Sequence, residues 1–108
     1  NPYFDAFAPR AARLTCTTHH FADLWHEVMG EAWDESKGAT DEDERQQLRN
    51  EIDALVAHLY GLSREDFAHI LGTFPLVFKD DAEGHAKKAR LLDEYDRWAG
   101  QVAGWSRD

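Results

Sequence analysis

No disulfide can form within this chain, because its 108 residues include a single cysteine, Cys16. That usage is compatible with a reducing cytoplasm, the location expected here. Positive charge is also scarce: 12 Lys and Arg stand against 21 Asp and Glu, for a formal net charge of −9. Phosphate binding needs cations that release counterions, so a surface this acidic does not grip nucleic acid through its average charge. Any such contact is local, or is made by another part of a larger protein. No apolar run approaches the roughly 20 residues that span a bilayer, so no membrane partner is expected. Asn1 and Pro2 open the chain without an initiator Met or a secretory leader pattern, and it reads as a piece cut from a larger protein. Repeats, low-complexity tracts and an interior domain boundary are all lacking.

What is present is apolar and aromatic. The chain is 43% hydrophobic and 12% aromatic, with four Trp and six Phe, enough for one modest core and against disorder. The length fits one domain. Residues 1–13 hold two of the three prolines and three aromatics, and read as an irregular lead-in; a single helical domain is expected over 14–108.

Helical periodicity sets in at Thr18. Phe21, Leu24, Trp25, Val28 and Ala32 recur at three- and four-residue spacing, Thr17 or Thr18 offers a cap, and Ser36-Lys37-Gly38 offers a stop. Thr40 with Asp43 resembles a capping box, and the acids from Asp41 to Glu44 suit the positive end of a helix dipole. Leu48, Ile52, Leu55, Val56, Leu59 and Tyr60 then form an apolar face, all read as core, before Gly61 closes the helix. Ser63 with Asp66 caps a short helix carrying Phe67, Ile70 and Leu71 and ending at Gly72. Thr73 to Phe78 reads as an extended apolar segment, since a residue before proline leaves the helical region. After a polar turn over Lys79 to Gly84, a last helix is expected from about His85 to Ala103. Its inward residues are Ala89, Leu92, Tyr95, Ala99 and Val102, with Leu91 and Trp98 flanking. The fold class is therefore all-α: a small bundle of about four helices, short loops and one extended Phe-Pro segment.

Few constellations can carry chemistry. Asn1-Pro2-Tyr3-Phe4 resembles the Asn-Pro-Pro-aromatic motif of amino-group methyltransferases, but the second proline is missing and no glycine-rich methyl-donor turn precedes it. Cys16, His19, His20 and His26 lie close together, yet no second pair with ligand spacing follows, so no metal site is assigned. Cys16 reads as a buried structural thiol rather than a nucleophile. Asp80-Asp81 and Asp93-Glu94 read as solvated charge runs. His85 to Arg90 is the one local excess of positive charge, and Lys87, Lys88 and Arg90 are the candidate DNA-backbone contacts, against an ordinary ion-paired surface. No catalytic or cofactor-binding residue is assigned.

The stretch from Leu48 to Val77 resembles the C-terminal region of large adenine-specific DNA methyltransferases of fused restriction–modification and phage-defence systems. Asp53, Ala54, His58, Leu59, Tyr60, Gly61, Leu62, Ser63, Ile70, Leu71, Phe74 and Pro75 carry the resemblance. Lys88, Arg90, Leu91, Glu94, Tyr95 and Asp96 are similar to the helix that follows in that family, and Leu14 to Trp25 looks like its lead-in. Gly84-His85-Ala86-Lys87 departs from it, standing where the family has an aromatic and an Arg. The resemblance implies a parent that methylates adenine with S-adenosylmethionine, in some members with DNA cleavage, and a catalytic motif far upstream of this piece. This fragment alone would be no enzyme and hold no cofactor; it would support the recognition part, meeting DNA through its parent. Two alternatives stand beside it: a protein–protein interaction or oligomerisation module using Trp33, Trp98 and Trp105, and a small metal-dependent hydrolase.

Overall fold

The computed structural model describes residues 1–73 and 81–105, and these are helical, with no strand among them. In chain order come α1 (Pro2–Thr15), a 3-10 turn over His19–Phe21, α2 (Ala22–Met29), α3 (Glu42–Leu59), α4 (Arg64–Leu71) and α5 (Ala82–Ala103). The all-α expectation holds. Where the sequence reads one domain over 14–108, contacts gather into two compact units, Asn1–Ile52 and Asp53–Asp108, and the division falls inside α3.

The first unit corrects the irregular lead-in. Residues 2–15 form a helix because Asn1 caps it: Oδ1 accepts from the amides of Tyr3 at 2.9 Å and Phe4 at 3.4 Å. Pro2 occupies the first turn, where its missing N–H would have had no partner anyway. Pro9 lies inside the helix and has no amide hydrogen to give the Asp5 carbonyl, a defect on the order of 3 kcal/mol. Ala6 and Ala12 lie on the buried face of the helix. The Arg10 guanidinium donates to Ala6 O at 2.9 Å beside the proline and pairs with Glu51 at 2.7 Å.

The next helix is shorter than its apolar period suggests. Thr18 makes no side-chain cap, the chain passes through the 3-10 turn, and α2 ends at Met29 because Gly30 takes a left-handed φ of 71°. Trp33 therefore lies in a loop. It still packs with Phe21 and Met29 on the buried cluster of Ala12, Cys16 and Trp25, and its indole N–H donates to Cys16 O at 2.8 Å.

That loop returns across the end of α1. Ala39 N donates to Arg13 O at 2.8 Å, and a Cβ on Gly38 would come within 2.7 Å of Thr17 Cα, so only glycine fits without a shift. Arg45 on α3 donates to both Leu14 O (3.0 Å) and Ala39 O (2.8 Å). Arg13 pairs with Glu44 and its Nε donates to Lys37 O at 3.4 Å. The acceptor that starts α3 is Asp41, whose carboxylate takes the Glu44 amide at 3.0 Å, one residue after the expected Thr40.

In the second unit Ala54 and Leu55 are fully buried, and Ala57, Phe67, Leu71 and Leu91 form the core, with Leu62, Leu92 and Tyr95 against it. Leu59 and Tyr60 are not core: they are 48% and 75% exposed. The helical period carries the stripe on to its last turn, where both side chains stay exposed. In α5 the inward line is Leu91, Trp98 and Val102, joined by Glu94 at 3% exposed, while Ala89 faces out. The buried stripe is thus centred on the residues expected to flank it. The helix also starts earlier than His85: Asp81 accepts from Gly84 N at 2.7 Å and caps it. Asp81 thus serves as an exposed cap, and Glu94, read as a solvated charge, is buried and paired with Arg97. Thr73 closes α4, its hydroxyl donating to Ile70 O at 2.6 Å; the rest of the expected extended segment, with Lys79 and Asp80, lies outside the described residues.

Candidate functional site

The α3–α4 elbow is built from local rules. Gly61, at φ 71°, gives its amide to His58 O at 3.0 Å, and Leu62 gives its amide to Ala57 O at 3.0 Å. This is the Schellman pattern, in which a left-handed glycine lets two late carbonyls of a helix find donors. Leu62 then packs onto the cluster around Ala57, the apolar contact that accompanies such a turn. Ser63 Oγ accepts from Asp66 N at 3.1 Å while Asp66 Oδ2 accepts from Ser63 N at 3.4 Å, completing the capping box read from the sequence.

Helix α5 buckles this elbow. The His58 ring stacks on Tyr95 with centroids 3.9 Å apart and planes 18° from parallel, and its Nε2 lies 2.8 Å from Tyr95 O, close enough to donate to it. The Tyr95 hydroxyl donates to Leu62 O at 2.6 Å, so one side chain ties the turn's carbonyl to α5. Burial, with the charges of Asp96 and Asp66 adding to it, pushes the Tyr95 phenol above its usual range. Outside the stack Arg64 Nε meets the Asp96 carboxylate at 3.0 and 3.2 Å, both side chains about half exposed.

The candidate DNA-backbone residues are not gathered into a bare cationic patch. Lys87 Nζ lies 3.5 Å from Glu83 one turn back, and Arg90 Nε donates to Ala86 O at 3.3 Å. Lys88 is half-buried, and its Nζ comes within 3.7 Å of where a Cβ on Gly72 would stand. Further along, Arg97 meets the buried Glu94 at 3.0 Å. Cations and carboxylates alternate along this helix, which lowers its local potential.

The remaining candidates resolve into structure. Asn1-Pro2 is a helix cap. Cys16 is fully buried, and burial pushes its thiol up, away from the thiolate that a nucleophile or metal ligand needs. His19 stands edge-on to Trp33 and His20 edge-on to Phe21. Among the described residues no three His, Cys, Asp or Glu side chains come together as a metal-holding group. No helix among the described residues is long and apolar enough to cross a membrane. The three tryptophans expected to be exposed are not: Trp98 is buried and packs on Trp105, and Trp33 and Trp105 are half-buried. The exposed large apolar side chains include Phe4, Leu59 and Tyr60, which the sequence reading did not single out as surface. No protein family, curated relative or solved structure matches the chain.

Proposed function

We propose that this chain is a non-catalytic helical module from the C-terminal region of an adenine-specific DNA methyltransferase of the restriction–modification kind. Its role is to support the DNA-recognition part of a cytoplasmic parent that uses S-adenosylmethionine. The observation that carries the reading is that the two stretches of the resemblance meet. His58 and Leu62 in the first are bound to Tyr95 in the second, by a ring stack and a 2.6 Å hydrogen bond across 33 residues of sequence. Those residues explain a shape and supply no reacting group, which fits a support. Contact with DNA at Lys87, Lys88 and Arg90 remains part of the proposal, weakened by the ion pair at Lys87.

The complete gene tests the parentage: an Asn-Pro-Pro-aromatic motif and a glycine-rich methyl-donor turn are expected upstream, and their absence removes it. Titration of this chain with duplex DNA at low salt tests the role. Weak binding without sequence preference is expected; tight, sequence-selective binding would overturn support as its function.

A second reading, a protein–protein interaction module, is favoured by Tyr60 at 75% exposed and Phe4 at 64% exposed. A mass that rises with concentration in sedimentation would favour it. The metal-dependent hydrolase finds no donor set among the described residues.

A further inference from the structure

We draw no further inference here: the strongest candidate, the exposed apolar patch of Leu59 and Tyr60 at the end of α3, is an unpartnered face, and nothing in the structure shows what covers it.

Discussion

Asn1–Ile52 and Asp53–Asp108 are both helical, yet different kinds of bond hold them. In the first unit, long side chains reach across the sequence to backbone carbonyls: Trp33 to Cys16, Arg45 to Leu14 and Ala39, Arg13 to Lys37. They satisfy carbonyls at the end of α1 (Leu14, Cys16) and in the irregular stretch between α2 and α3 (Lys37, Ala39). In the second unit, glycine and cap lie within a few residues of one another, and α5 adds the His58–Tyr95 stack, the Tyr95 bond to Leu62 O and the Arg64–Asp96 pair. A unit built on local rules announces itself in sequence, whereas one built on reach does not.

The largest effect expected lies in the core of the second unit. Leu91→Ala should cost about 2–5 kcal/mol, the range for deleting a buried leucine side chain. Leu59→Ala, though Leu59 shares the helical period of the buried residues before it, should fall within about 0.5 kcal/mol, as exposed substitutions do. Urea denaturation of the two variants checks both values, and equal losses would mean that Leu59 is covered after all.

Next comes Gly38→Ala, which drives a methyl group into the backbone at Thr17 and should cost about 1–3 kcal/mol by overpacking. Thermal melts that left this variant unchanged would break the claim that the first unit depends on that close crossing.

Tyr95→Phe removes the bond to Leu62 O and should cost about 1 kcal/mol. The same variant sharpens a pH test. The Tyr95 phenol is raised when folded, so the folded state holds its proton more tightly than the unfolded chain does. That contribution is fully present below the unfolded value of about 10 and is lost as pH rises through the folded value. Denaturation midpoints measured on both sides of this range should show an alkaline loss that is smaller in Tyr95→Phe. The smallest loss expected in a cap is Ser63→Ala, about 1 kcal/mol or slightly less, read from the same urea series.

Much of the second unit was legible. Ser63 with Asp66 and the left-handed Gly61 follow from short-range hydrogen-bond needs that depend on neighbours alone. Periodicity identified Leu55 and Phe67 as core but misplaced the ends of the stripes, since a period specifies a face and not how far along it a neighbour extends. For the same reason it set Leu91 and Trp98 to the side of a line they occupy. The first thirteen residues were misread because proline was weighed as a breaker, although Asn1 ahead of Pro2 is a helix start written in the sequence. Gly30 was likewise available as a stop, and the continuing apolar residues outweighed it. The ion-paired surface weighed for His85 to Arg90 is seen at Lys87, whose partner Glu83 joins it on one helix face only because the helix begins before the expected His85.

The sequence alone determined the all-helical class and the elbow at Gly61 and Ser63, because each depends on composition or on residues within a turn of one another. Only the tertiary structure decided which apolar residues are covered, where Trp33 and Arg45 find their acceptors, and that His58 and Tyr95 meet. Those outcomes depend on which surfaces approach in space, and burial and hydrogen-bond partnership across 17 to 37 residues are properties of that approach.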